Sequence, residues 1–143
     1  MPALSYRRCQ NEREKLGLPV SVLARLSQLL GLGPEIEKSS PLDTAESHRA
    51  GSLIIIDIRD PDEWTATGTP QGSHRISMTD SDFVETVERL LTTHPNAVTA
   101  IGCQTGMRSR TAIKRLRKSI PREFKILQGG IEGWIAAGLP LDY

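Results

Sequence analysis

Leu53-Ile54-Ile55-Ile56-Asp57-Ile58 is the stretch whose reading decides the fold. β-Branched residues dominate it without the polar alternation of a half-exposed strand, so it reads as a strand covered on both faces, as in a parallel sheet. Just upstream, Ser40-Pro41 supplies an N-cap and first-turn pair for a short helix through Leu42-Asp43-Thr44-Ala45-Glu46. Just downstream, Asp60-Pro61-Asp62-Glu63-Trp64 repeats that signal, and Gly68, Pro70 and Gly72 mark a loop before a short extended piece at Arg75-Ile76-Ser77.

The same alternation continues to the end of the sequence. Phe83, Val84, Val87, Leu90 and Leu91 form a helical stripe after a cap at Ser81, and Ala97-Val98-Thr99-Ala100-Ile101 is a second buried strand. Ala112, Ile113 and Leu116 give the apolar face of a helix that ends before Pro121, and Phe124-Lys125-Ile126-Leu127 is a further strand. Gly129-Gly130 turns into a final helix holding Ile131, Trp134 and Ile135 and closing at Gly138. Strands and helices in alternation with short connections predict an α/β fold, a mostly parallel sheet with helices on both faces. Trp64 and Trp134 are expected in its core.

Residues 1–39 are of another character and read as an N-terminal extension to a domain over 40–143. A charged opening leads to Leu23, Leu26 and Leu30 at the spacing of a short amphipathic helix, with Gly31, Gly33 and Pro34 as breakers. That helix either packs on the domain or docks a partner. Its polar face lacks the basic character of a strong membrane-surface helix.

The 143 residues suffice for one domain with a single core. Eighteen Lys and Arg against seventeen Asp and Glu leave a net charge of +1, so no whole-molecule field points to nucleic acid or an anionic membrane. Two cysteines, Cys9 and Cys103, are too few for a disulfide scaffold. No apolar run is long enough to span a bilayer, and Arg7, Arg8, Glu12, Arg13, Glu14 and Lys15 interrupt any signal-peptide pattern. A cytoplasmic protein without metal or cofactor is the expectation.

The chemistry concentrates in Cys103-Gln104-Thr105-Gly106-Met107-Arg108-Ser109, which follows directly on a buried strand and feeds a helix starting near Arg108 or Ser109. Ligands of open α/β sheets bind at the carboxyl ends of strands. A loop closing onto a helix N-terminus gathers unpaired N–H groups and the positive end of the helix dipole, which favour a thiolate at its centre. Arg108 adds a positive charge, Thr105 and Ser109 add hydroxyls, and Gly106 lets the backbone turn inward. Against this stands an inert thiol buried at a strand end, a common place for cysteine.

This loop resembles the active-site loop of rhodanese-like domains, usually of the form C-[RK]-x-G-x-R-[ST]. Ile56-Asp57-Ile58-Arg59-Asp60-Pro61-Asp62-Glu63-Trp64 is similar to the family's D-[VI]-R-x-x-x-E-[FWY] signature. Leu127-Gln128-Gly129-Gly130-Ile131-Glu132-Gly133-Trp134 is similar to its closing L-x-G-G-x-x-x-W, continued by Gly138-Leu139-Pro140. The resemblance implies a five-stranded sheet and a sulfurtransferase cycle. Cys103 takes sulfane sulfur from thiosulfate or a persulfide donor, holds it as a persulfide and passes it to cyanide or a thiol. Gln104, Thr105, Gly106, Met107, Arg108 and Ser109 then bind substrate, with Met107 at the rim. Asp57 and Arg59 form a supporting buried ion pair or hydrogen-bond network near the site, with direct substrate contact as the alternative. Partners are small sulfur compounds and, in addition, a protein sulfur donor or acceptor.

Two departures bear on substrate. Gln104 stands where the family often has a basic residue, so thiosulfate, a dianion, is held less firmly and an arginine there is expected to improve its capture. Gly68-Thr69-Pro70-Gln71-Gly72-Ser73 replaces the usual G-H-I-P-G-[AS], and nearby His74 is assigned ordinary polar work. The basic run Arg108, Arg110, Lys114, Arg115, Arg117 and Lys118 reads as a solvated helix face that also steers anions. Two alternatives stay open. Cysteine phosphatases and arsenate reductases use a similar cradle of the form C-x5-R, whereas Arg108 gives C-x4-R, and a carrier or redox-sensing module would use Cys103 without turnover.

Overall fold

The computed structural model describes Val22 and residues 35–143. The expected helix through Leu23, Leu26 and Leu30, with Gly31, Gly33 and Pro34, lies outside the described residues, as does Cys9.

β2 (Leu53–Asp57) and β5 (Val98–Gly102) are the two runs read as buried strands, and they pair in parallel from Leu53↔Val98 to Asp57↔Gly102. β6 (Phe124–Leu127) lies on the other side of β5, with Thr99↔Phe124, and β4 (His74–Arg75) borders β2. β1 (Lys38–Ser39) closes the far edge against β6. The five strands run parallel in the order β1-β6-β5-β2-β4. A separate two-stranded antiparallel ribbon joins β3 (Thr69–Pro70) to β7 (Leu141–Asp142). No helix among the described residues is long and apolar enough to cross a membrane.

Strand period two sends alternate side chains to opposite faces, so β2 needs apolar cover twice. Ile54 and Ile56 face Phe83, Val87 and Leu91 of α3 (Phe83–Thr92) and Ala112, Ile113 and Leu116 of α4 (Met107–Leu116). Leu53 and Ile55 face Ala45 of α1 (Pro41–Arg49) and Ile131 and Trp134 of α5 (Gly130–Ala136). The continuous run of isoleucines is thus the direct cost of a sheet sandwiched between helix layers. Truncating one of them, Ile56 for example, would lose about 2–5 kcal/mol.

The helix ends carry the expected chemistry, with exceptions. Ser40 Oγ accepts from Asp43 N–H at 3.1 Å, and Trp134 Nε1 donates to the Pro140 carbonyl at 2.9 Å, pinning the chain after α5. The cap of α3 is Asp82 rather than Ser81, without a side-chain hydrogen bond, because the helix starts one residue later than expected. Trp64, expected in the core, is half-buried on the short helix α2 (Pro61–Thr67), which has no buried residue. Ile36 enters the core and Lys38–Ser39 the sheet, so residues 36–39, which the sequence reading left in the extension, belong with the sheet-bearing unit.

Candidate active site

Cys103 follows Gly102, the last residue of central strand β5, and is 1% exposed. The chain turns at Gly106, whose φ of +107° is costly for any residue with a Cβ, and enters α4 at Met107. The turn brings the Gly106 N–H to 3.0 Å from Cys103 Sγ, where it donates to the sulfur.

The loop's outer side is fixed by α5. Ile131 N–H donates to the Cys103 carbonyl at 2.8 Å and Glu132 N–H to the Gln104 carbonyl at 3.2 Å. That approach depends on Gly130, at φ +61°, because a Cβ there would lie 2.6 Å from the Gln104 carbonyl oxygen. The Gly129-Gly130 pair therefore serves the cysteine loop as well as the start of α5.

Arg108 does not stand free. Its guanidinium donates from Nη1 and Nη2 to the two Glu63 carboxylate oxygens at 3.0 and 2.6 Å. Glu63 also accepts from Asp60 N–H at 2.9 Å, and Asp60 in turn accepts from Ser77 Oγ at 2.7 Å and Thr79 Oγ1 at 3.0 Å, which steadies the start of α2. The hydrogen bond from Arg108 outweighs desolvation and holds the Glu63 carboxyl down to about 2. The same bond raises the Arg108 guanidinium above its ordinary range. At neutral pH both partners are charged, and the positive charge expected at the thiolate is largely answered by a carboxylate.

Asp57 and Arg59 form a fully buried ion pair at 2.8 Å. Arg59 also donates to the Gly68 carbonyl at 2.9 Å, Thr67 Oγ1 at 2.8 Å and Gln104 Oε1 at 3.0 Å. Such full use of a buried guanidinium is what makes its burial tolerable, and losing one partner would cost about 3–5 kcal/mol. Gln104 Nε2 then donates to Glu132 Oε1 at 3.1 Å, so residue 104 bridges Arg59 and Glu132 instead of projecting alone from the loop mouth.

Ser109, in the first turn of α4, is fully buried, and its Oγ has no hydrogen-bond partner. Thr105 and Met107 are exposed, Met107 at 82%. His74 lies away in β4, edge-on to His94 with centroids 5.7 Å apart, and burial favours its neutral form. A cavity of about 510 Å³ lined by Ala45, His48, Trp134 and Pro140 contains no residue of the loop. Among the described residues no group of His, Cys, Asp or Glu is placed to hold a metal ion.

The sequence reading missed Glu63 and Glu132 as neighbours of the loop. Asp60-x-x-Glu63 has the spacing of a capping box, a signal that could have marked Glu63 as a helix-start residue, but its bond to Arg108 reaches 45 positions along the chain.

The rhodanese-like domain family matches residues 40–137. No curated protein matches the chain. Among solved structures, a thiosulfate sulfurtransferase from Pseudomonas aeruginosa is 22% identical with a TM-score of 0.62, over 76% of this chain and 20% of that one. A Rhodopseudomonas palustris protein described as "Possible Tyrosine Phosphatase" is 24% identical with a TM-score of 0.61, over 75% of this chain and 85% of that one. The As-Sb reductase of Leishmania major is 16% identical with a TM-score of 0.60, over 72% of this chain and 79% of that one. At these identities the likeness is one of fold.

Proposed function

The chain belongs to the rhodanese-like domain family, and from that membership we propose that it is a sulfurtransferase whose Cys103 carries sulfane sulfur as a persulfide. The observation that carries the reading is the Gly106 N–H at 3.0 Å from Cys103 Sγ, in a loop that closes onto the N-terminus of α4. An amide aimed at sulfur stabilises the thiolate and then the persulfide anion that replaces it.

In the first half-reaction the Cys103 thiolate attacks the outer sulfur of thiosulfate. The new S–S bond forms as the old one breaks, and its electron pair leaves with sulfite. With an organic persulfide the leaving group is the donor's thiolate. In the second half-reaction cyanide or an acceptor thiol attacks the terminal sulfur of the Cys103 persulfide, and Cys103 leaves as thiolate. Ser109 Oγ, buried and unpartnered, is a donor available to the added sulfur. Asp57 and Arg59 position the loop through Gln104.

The phosphatase or arsenate reductase reading has less support. Four residues rather than five separate Cys103 from Arg108, which narrows the cradle against three equatorial oxygens, and Arg108 already holds a carboxylate. A carrier role with slow turnover draws on that same pairing, since it leaves the loop poor in free charge for a dianionic donor. A reducing cytoplasm suits either sulfur-handling role. The deciding test is thiocyanate formation from thiosulfate and cyanide by wild type and Cys103→Ser. Turnover should vanish in the variant with its circular dichroism unchanged, and retained turnover would remove Cys103 from the mechanism.

A further inference from the structure

We propose that the outer face of α4 docks an acidic protein surface that presents a cysteine persulfide to Cys103. The proposal rests on the sulfurtransferase reading and names the class of donor for that site.

Met107, Arg110 and Lys114 lie at spacings of three and four on α4, so they share one face, and Lys118 continues the line just past the helix end. All four are exposed. Arg110, Lys114 and Lys118 make no hydrogen bond or ion pair among the described residues, whereas Arg115 donates to the Met78 carbonyl and covers the Phe83 ring. No Asp or Glu occurs between Met107 and Lys118. Like charges four apart on a helix repel, so this arrangement is mildly unfavourable for the folded chain by itself. An acidic partner would relieve it.

The stripe begins beside the reactive loop. Met107 directly follows Gly106, whose N–H meets the Cys103 sulfur, and its 82% exposure leaves an apolar contact at the entrance. Cys103 itself is 1% exposed, so sulfur has to arrive at the tip of a slender group such as a cysteine side chain. Inside the loop Arg108 is taken by Glu63 and Gln104 by Arg59 and Glu132. The unanswered cations thus lie outside it, on a stripe that runs about 10 Å from the apolar Met107 to Lys114 at 1.5 Å per residue. That span suits a protein surface rather than a small dianion. Three such cations on a chain of net charge +1 are a poor match for nucleic acid, where many phosphates must be neutralised.

In the transfer, the Cys103 thiolate attacks the terminal sulfur of the partner's Cys–S–SH. The partner's S–S bond breaks as the new one forms, and the electron pair leaves on the partner's cysteine sulfur. The proton stays on the transferred sulfur, and no external oxidant or reductant is needed.

Two synthetic persulfidated peptides test this, each with one cysteine, flanked by Asp and Glu in one and by Lys in the other. The readout is kcat/KM for sulfur uptake onto the full chain, for wild type and the Arg110→Glu/Lys114→Glu double variant. The acidic peptide should be favoured by about tenfold or more at low salt, with the advantage shrinking as salt is added. The double variant should invert the preference while its kcat with thiosulfate stays the same. Equal use of the two peptides, or a preference that survives the double variant, would overturn the proposal. So would a single-stranded oligonucleotide that inhibits uptake as well as a cysteine-free acidic peptide does. No uptake from any donor, thiosulfate included, would instead sink the sulfurtransferase reading and the proposal with it.

Discussion

The Arg108 guanidinium grips the Glu63 carboxylate at two points, 2.6 and 3.0 Å, so the one arginine of the cysteine loop is committed to a side chain from another helix. Two-point contacts of this kind are among the stronger hydrogen-bonded pairs. On the proposed reading, an anionic donor entering the loop would compete with Glu63 for Arg108.

Glu63→Gln should therefore release Arg108 without undoing α2, because glutamine still accepts from the Asp60 N–H in a capping box. The KM for thiosulfate should fall by a factor of several if a charge-assisted bond of about 1.5 kcal/mol is partly realised. An unchanged KM would mean that Arg108 does not reach the donor.

The pair also sets an acid limit on stability. Glu63 titrates at about 2 in the folded chain against an ordinary 4.5, so the unfolded chain takes up this proton first as pH falls. The pair's contribution is complete above 4.5 and is lost as pH falls through about 2. With side chains 40% and 33% exposed, solvent screening leaves only part of what so large a shift implies. Urea midpoints of wild type and Glu63→Gln should converge as pH is lowered across that window. A constant gap would contradict the assignment.

The bridge through Gln104 changes what an arginine at that position would do. Gln104→Arg loses the acceptor for Arg59 and sets its charge against Glu132, with which the glutamine now bonds. The single variant should leave the KM for thiosulfate nearly unchanged. Gln104→Arg/Glu132→Gln should lower it several-fold in a salt-sensitive way, as for one partly realised charge-assisted bond. Equal KM values for both variants would show that residue 104 does not face the incoming anion.

These pairings mark where the sequence stopped being readable. The runs 53–58, 97–101 and 124–127 announced β2, β5 and β6 because burial on both faces favours mostly apolar residues, broken here only at Asp57, Thr99 and Lys125. β1, β3, β4 and β7 have two residues each, too short for any periodicity to register, and only an extended piece near β4 was anticipated. The cysteine loop was legible because its constraints are local: a strand end, a glycine, a helix start. Glu63 and Glu132 were not, because they approach from 45 and 28 positions away and tertiary placement alone chooses their partners. Trp64 misled through composition, since an aromatic residue on a short surface helix carries the same letter as one in the core.

Ser109 offers a test that separates stability from function. Its Oγ is buried without a partner, so Ser109→Ala removes an unsatisfied polar group and should leave the urea midpoint unchanged or slightly higher. Sulfur transfer should nevertheless slow, because the hydroxyl is the donor proposed for the added sulfur. Unchanged transfer would assign Ser109 to packing alone.

The most direct measurement is the intact mass of the full chain after incubation with thiosulfate, followed by peptide mapping. The peptide containing Cys103 should gain one sulfur atom, absent in Cys103→Ser and removed by cyanide with release of thiocyanate. A Cys103 that stays unmodified under these conditions and with an organic persulfide donor would contradict the claim that this cysteine carries sulfur.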